Sequence, residues 1–435
     1  MALNEEQQHA LNYAKNGVSF FLTGPGGSGK SFVLEKIRET LEFLGKKVAV
    51  TAMTGCAALL LGNKAKTLHS WASVGLARES ATALVAKIRA SPKAYRRWLS
   101  TDTLIVDEVS MLTPEFLEKL NYIAIQVRRN AHTMGGLQVI FVGDFYQLPP
   151  VNKDTSPGTT TSFVFESALW KQIMPQTVYL KKVVRQRDPT FHKILDEARH
   201  GILSKESLKT LATRQGLPWE SLEIRPTLLF SRKAEVDHVN ATNLKALTGP
   251  RQIYKAETVV LPIAATLGLD KNSEQVQHAI QRLDKDAGYS SELILAIGAQ
   301  VMLLKNLDFD AGLVNGSRGV VTGFTTTAVP LPIVKFRTGL PIPIGPATWE
   351  SEDLEGIQRQ QIPLKLAYAI TIHKAQGATL DCALIDIGHS TFECGQAYVA
   401  LSRVRDLESL YIWDLEPSAF RTHAKVHDFY TSSPS

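Results

Sequence analysis

A chain of 435 residues is too long for one ordinary hydrophobic core and implies two large domains. Hydrophobic residues at 44% and charged residues at 21% exclude a chain dominated by disorder, and a net charge of +6 permits a polyanionic partner without requiring one. Cys56, Cys382 and Cys394 form no Cys-x-x-Cys pair, which argues against a disulfide framework, a zinc ribbon or an iron–sulfur cluster.

The first residues, Met1 to Glu6, are acidic at once and lack the basic and apolar regions of a signal peptide. No apolar run approaches the roughly eighteen residues that span a bilayer. The expectation is a soluble intracellular protein with no membrane partner. Cytoplasm or nucleoid, nucleus and mitochondrion all stay open.

Val18 to Leu22 reads as a buried parallel strand. It leads into Gly24-Pro25-Gly26-Gly27-Ser28-Gly29-Lys30-Ser31, which fits G-x-x-x-x-G-K-[ST], and a helical pattern from Phe32 to Leu44 follows. Gly24, Gly26, Gly27 and Gly29, with Ser28 among them, let the backbone wrap a phosphate with its amides, and the helix N-terminus adds a favourable dipole. Lys30 is suited to neutralising β- and γ-phosphates and Ser31 to ligating Mg²⁺, so ATP and Mg²⁺ are the expected ligands. The same segment satisfies the looser G-x-G-x-x-G of dinucleotide sites. That reading needs an acidic residue at the end of the next strand, and Val48 to Thr51 ends in Thr51-Ala52.

A basic insertion is expected at about residues 73–100, carrying Arg78, Lys87, Arg89, Lys93, Arg96 and Arg97. Leu104 to Val106 is the next strand. It places Asp107, which can hold Mg²⁺ through water, beside Glu108, which can orient and deprotonate the attacking water. A helical pattern runs from Pro114 to Arg129. The strand Val139 to Val142 then leads into Gly143-Asp144-Phe145-Tyr146-Gln147-Leu148-Pro149-Pro150, where Gln147 could sense the γ-phosphate. A GTPase would need Asn-Lys-x-Asp, which is missing, and a small-molecule kinase would leave most of the chain beyond Pro150 unexplained.

The first domain is expected over residues 1–175 and the second, also α/β, over 176–435. Candidate strands of the second are Thr227 to Phe230, Ala299 to Leu304 and Ala383 to Asp386. Within it, about residues 306–362 change character. Short strands there, Gly319 to Val321 and Ile333 to Phe336, are spaced by glycine, proline and threonine as in a small β-barrel.

This string of motifs resembles the Pif-type (petite integration frequency) helicases of superfamily one, relatives of the RecD-like motors. The resemblance runs from Leu3 to about Tyr430. It rests on Leu3 to Gln7, Thr51 to Ala58, Thr67 to Trp71, Asp107-Glu108, Gly143 to Pro150, Leu180 to Gln186, Asp188 to Phe191 and Arg199 to Gly201. Later come Asn315-Gly316, Gly319 to Val321, Thr371 to Gly377 and Gln396 to Arg405. Val184 stands where most members have an aromatic residue, and Ala375 where serine is frequent.

The resemblance implies two RecA-like P-loop NTPase domains, the first with a small insertion that acts as a wedge, the second with an SH3-like β-barrel insertion. It implies that Gln7 reads adenine, that Gln376 and Gly377 lie on the nucleotide side, and that Arg185 and Arg403 bring charge to the γ-phosphate from the second domain. It also implies DNA contacts by Thr54, His69, Trp71 and Phe145 on the first domain, and by His373, Lys374 and Gln376 on the second. The competing expectation for Trp71 is core packing, for His69 a satisfied buried histidine, and for Arg89 to Arg97 a solvated helix face.

The implied activity is ATP-dependent 5′-to-3′ movement on single-stranded DNA with unwinding of forked or tailed duplexes, RNA–DNA hybrids and G-quadruplexes included. Repair, recombination, replication and telomere maintenance are the implied settings. The expected state is a monomer, with a dimer on DNA as the alternative. A translocase that strips proteins from DNA shares the same motor parts and stays open, as does, more remotely, another P-loop NTPase.

Overall fold

The computed structural model describes residues 3–62, 65–150, 161–184, 188–286, 288–308, 311, 313–337, 339–351 and 354–432. The chain divides into two compact units. The first comprises Met1–Leu211, Thr391–Asp406 and Glu416–Ser435, and the second Ala212–Ser390 and Leu407–Leu415.

The first unit is built on a six-stranded sheet of β1 (Phe20–Thr23), β2 (Val48–Ala52), β3 (Lys66–Thr67), β4 (Thr103–Asp107), β5 (Gln138–Gly143) and β6 (Gln176–Tyr179). Their order is β3-β2-β4-β5-β1-β6, and every pairing is parallel. β1 and β4 are buried at every position, because helices cover both faces and the strands must be apolar throughout. Helix α1 (Glu5–Lys15) starts with a reciprocal cap: Asn4 Oδ1 accepts from Gln7 N at 2.8 Å, and Gln7 Oε1 accepts from Asn4 N at 3.1 Å.

Helix α2 (Lys30–Phe43) packs Val33, Leu34, Ile37 and Leu41 against Phe20, Leu22, Ile105 and Ile140, with Ala10 and Leu11 of α1 in the same cluster. Each large aliphatic side chain so buried contributes about 1.5–3 kcal/mol. β6, one of the two edge strands, begins at Gln176, so the sheet passes the expected division at residue 175. Its Gln-Thr-Val-Tyr buries only Val178, which leaves no apolar run to read.

The basic insertion forms helices Ala81–Ala90 and Pro92–Ser100, capped by Ser80 and Ser91. It is docked rather than free. Leu84, Val85, Ile88 and Trp98 are buried, and Trp98 Nε1 donates to Ala72 O at 3.1 Å. Arg89 Nη2 donates to Gln126 O at 2.6 Å and Arg97 Nη2 to Ser70 O at 3.3 Å, so these two arginines tie the insertion to the sheet domain.

In the second unit, Ala369–Thr371, Thr227–Phe230, Ala383–Ile387 and Leu410–Leu415 form a four-stranded parallel sheet in that order. A five-stranded antiparallel sheet orders Ile342–Pro343, Pro332–Phe336, Arg318–Phe324, Gln300–Leu303 and Leu364–Leu366. A three-stranded sheet (Ala347–Glu350, Ile357–Gln361, Glu257–Val260) and the pair Glu292–Ala296 with Arg251–Lys255 complete it.

The β-rich part therefore begins well before residue 306. Gln300–Leu303, expected in the α/β core, instead pairs antiparallel with Arg318–Phe324. Its four residues are all buried, so it reads like a parallel-sheet strand. Among the described residues, no helix is long and apolar enough to cross a membrane.

Candidate nucleotide-binding site

β4, β5 and β1 are neighbours in one parallel sheet, so whatever follows each of them emerges at the same edge. That edge brings together Asp107-Glu108 after β4, the Asp144–Gln147 turn after β5, and the Gly24–Ser31 loop after β1. Gly24 sits at φ 148°, and a Cβ there would stand 2.5 Å from Leu180 O, so only glycine lets the loop leave β1 beside the segment after β6. Gly29, at φ 88°, is the N-cap of α2 and offers no side-chain acceptor, which leaves the first amides of the helix for an anion. Ser28 is buried and its Oγ has no hydrogen-bond partner among the described residues. Ser31 is exposed at the first turn of α2.

Lys30 Nζ donates to Gly24 O at 2.7 Å and Pro25 O at 3.0 Å, folding back across its own loop. Burial draws its pKa down, while Asp144, Glu108 and Asp107 act to keep it charged. The Asp107 carboxyl is pushed up to about 7, first by burial and then by Glu108 beside it. Glu108 N donates to Asp107 Oδ1 at 2.8 Å. Glu108 adopts φ 56°, a left-handed conformation that a non-glycine residue takes at a cost of order 1 kcal/mol. Gln147 is buried in the turn closed by Gln147 N to Asp144 O at 3.0 Å, and its Oε1 has no partner among the described residues. Gln7 flanks the far side of the loop, its Nε2 3.2 Å from where a Gly29 Cβ would be.

Arg403 was expected on the second domain. The compact division puts Thr391–Asp406 in the unit that holds the phosphate loop. Arg403 is buried, with Nε donating to Val399 O at 2.8 Å and Nη2 to Ser402 Oγ at 2.7 Å. Ser402 Cβ lies 3.4 Å from the position of a Gly26 Cβ, so this segment abuts the loop. Arg185 lies outside the described residues. The chain before it runs along the loop, with Val184 N donating to Gly27 O at 2.9 Å.

A second set of residues at this edge was given no role from sequence, although Asp144 and Arg199 both lie in motifs that carry the resemblance. Asp144 and Arg199 form a fully buried, two-pronged ion pair, Nε to Oδ2 and Nη2 to Oδ1 both at 2.9 Å. Burial opposes the guanidinium charge, yet Asp144 more than offsets it and holds the Arg199 pKa well above its ordinary value. Tyr146, Tyr179 and Tyr430 surround the guanidinium at 4.3, 5.8 and 5.5 Å. One signal was available: Phe191, Leu195 and Arg199 fall at i, i+4 and i+8 on helix Pro189–His200, which puts an arginine on an apolar stripe.

Two expected DNA-stacking residues are corrected. Trp71 is buried with its ring 4.5 Å from Trp98, which is the core-packing alternative. Phe145 is 1% exposed inside a cluster of Phe21, Phe165, Trp170 and Phe429. Neither ring face is open to a base. Thr54 caps helix Gly55–Leu60, its Oγ1 accepting from Ala57 N at 3.2 Å, and His69 is half-buried and stacked on Phe116 at 4.3 Å. In the second unit, Thr371 caps the turn Ile372–Ala375, Lys374 is exposed, and burial lowers the His373 pKa. Gln376 is buried there, and Gly377 takes φ 80°.

A phosphate loop after the first strand of a parallel sheet, with carboxylates at the end of the strand two places away, defines a P-loop α/β protein. A family model described as PIF1-like helicase matches residues 2–206, and one described as DNA helicase Pif1, 2B domain, matches residues 282–324. The chain is 38% identical over 432 residues to the ATP-dependent DNA helicase PIF1 of Homo sapiens, covering 99% of this chain and 64% of that protein. It resembles the crystal structure of Pif1 helicase from Candida albicans with a TM-score of 0.81 and 35% identity over 99% of each chain. The Pif1 helicase from Bacteroides in complex with ADP-AlF3 and ssDNA gives a TM-score of 0.69 and 29% identity, over 99% of this chain and 97% of that one. The chain belongs to the PIF1-like helicase family. It spans just under two thirds of the human relative's length, 64%.

Proposed function

We propose that this chain is an ATP-dependent DNA helicase that moves 5′ to 3′ on single-stranded DNA and opens forked or tailed duplexes. The observation that carries the reading is the edge where β4, β5 and β1 end. There a phosphate loop with an uncapped helix N-terminus meets two carboxylates, and the buried Ser28 Oγ and Gln147 Oε1 have no partner among the described residues. Family membership supports it, as do a relative named as an ATP-dependent DNA helicase and another whose structure holds ADP-AlF3 and ssDNA.

In this reading the loop amides and Lys30 bind the triphosphate, and Gln7 borders the base. Ser31, with Asp107 through water, would hold Mg²⁺, which supplies charge neutralisation at the phosphates. Glu108, set by its left-handed backbone, orients the attacking water and takes its proton. Gln147 reads the γ-phosphate, and Arg403 and Arg185 bring positive charge to it as the transition state forms. Gln376 and Gly377 are read as nucleotide residues. Thr54, His69, His373 and Lys374 contact the DNA backbone.

About residues 306–362 of the second unit are read as an SH3-like barrel, and the docked helical insertion of the first as the wedge. RNA–DNA hybrids and G-quadruplexes are further substrates in this reading, and the working form is a monomer that pairs on forked DNA.

The test is ATP hydrolysis with and without single-stranded DNA. Stimulation by DNA, lost in Glu108→Gln with nucleotide binding retained, is the expected result. Hydrolysis indifferent to DNA would overturn the helicase reading.

A further inference from the structure

Helix Gln396–Leu401 meets the phosphate loop and the Asp144–Gln147 turn at two close contacts. The Tyr398 hydroxyl accepts from Gly26 N at 2.7 Å, and its own proton faces Asp144 Oδ2 at 3.4 Å. At the start of the helix, Gly395 takes φ 75°, and a Cβ there would stand 2.5 Å from Tyr146 O and 2.7 Å from Gln147 O. On the other carboxylate oxygen, the Tyr430 hydroxyl faces Asp144 Oδ1 at 3.5 Å. It also accepts from Phe145 N at 3.1 Å and shares a 2.7 Å hydrogen bond with Thr23 Oγ1. Thr23 is the last residue of β1, and Gly24 opens the loop.

The two phenols therefore reach the loop at its entry and at its third residue, and both are anchored on one carboxylate that Arg199 holds in place. Burial, with Asp144 adding to it, raises the pKa of both hydroxyls, so each keeps the proton it needs to donate to Asp144 while accepting from an amide.

We propose that Tyr398 and Tyr430 are positioning residues that clamp Thr23 and Gly26 to Asp144. They hold the phosphate loop in the shape a triphosphate requires and tie that shape to the helix leading to Arg403. This rests on the reading of the site as an ATP site. A loop released from the clamp spends part of its time in shapes that do not accept phosphate, and apparent affinity falls by that fraction. The loss belongs to binding, because neither phenol is asked to act on the reacting atoms.

The test uses Tyr398→Phe, Tyr430→Phe and the double variant of the full chain, which keep the rings and remove only the hydroxyls. Three quantities are compared: hydrogen exchange of the Gly26 amide without nucleotide, Kd for ADP, and KM and kcat for ATP with single-stranded DNA. For Tyr398→Phe the expected result is a folded protein whose Gly26 amide exchanges about two- to tenfold faster. Its Kd and KM should rise by about the same factor, the worth of one net hydrogen bond, with kcat changed less than about twofold. The double variant should deviate from the product of the singles, since both hydroxyls share one carboxylate.

Unchanged exchange and unchanged KM in a folded Tyr398→Phe would overturn the clamp, as would a fall confined to kcat or strictly multiplicative effects of the two changes. If the double variant fails to fold, Tyr398→Phe decides alone. A parent chain that hydrolyses no ATP would sink the helicase reading, and the exchange comparison would still judge the clamp.

Discussion

Among the described residues, the Lys30 ammonium is bonded to two carbonyls of its own loop, and phosphate oxygens would offer it stronger, charge-assisted acceptors in their place. Lys30→Ala should bring ATP turnover to background while leaving DNA binding in the absence of nucleotide within about twofold, read by filter binding beside a steady-state assay. Loss of DNA binding as well would count against the assignment. Arg199 makes the opposite case, a charge whose role is to neutralise another. Arg199→Met strands the Asp144 carboxylate in a fully buried place and should cost about 3–5 kcal/mol in urea melts, with part regained by adding Asp144→Asn.

The phosphate loop was legible because its eight residues are consecutive and its positive-φ glycines are required locally. The Asp144–Arg199 pair was not, because its partners lie 55 residues apart, and Tyr398 and Tyr430 reach Asp144 across 254 and 286. No window of sequence contains them. Trp71 and Phe145 went the other way: an aromatic residue inside a recognised motif reads equally as a stacking platform or as core, and burial against Trp98 and Phe429 settles both as core.

At the scale of elements, the central strands of the first unit matched expectation to within two residues at each end. A parallel strand covered on both faces must be a short apolar run, and helices between such runs leave few alternatives. What failed follows from the same rule. β6 is an edge strand and lacks the run, while Gln300–Leu303 has the run for a different reason, being covered within an antiparallel sheet.

The contact of helix Gln396–Leu401 with the turn after β5 yields a sharp test. Gly395→Ala would place a methyl against two backbone carbonyls that cannot move cheaply, and alanine also resists the φ of 75°. The helix and Arg403 should shift together. The expected outcome is a fall in kcat of at least about tenfold, on the scale of a displaced transition-state charge, with DNA binding retained. A normal kcat would show that the helix position does not govern the chemistry.

Over the whole molecule, the buried phenols set an alkaline limit. Burial raises the pKa of Tyr398, Tyr430, Tyr146 and Tyr179 above the ordinary value of 10.0. Below that value both folded and unfolded chains keep these protons and the stability is intact. Above it the unfolded chain releases them first, so stability falls as pH rises toward the raised folded values. Thermal melts between pH 8 and 11 should show Tm level up to about 10 and falling beyond it, with a shallower fall in the Tyr398→Phe/Tyr430→Phe double variant. An equal fall in the variant would locate the alkaline limit elsewhere.

The central claim is that the edge formed by β4, β5 and β1 powers directed movement on DNA, and strand separation on two matched partial duplexes tests it most directly. One duplex carries a 5′ single-stranded tail, the other a 3′ tail, and Lys30→Ala serves as the blank. ATP-dependent opening of the 5′-tailed duplex alone is the expected result. Opening from the 3′ tail would contradict the direction, and DNA-stimulated ATP hydrolysis with neither duplex opened would make the protein a translocase rather than a helicase.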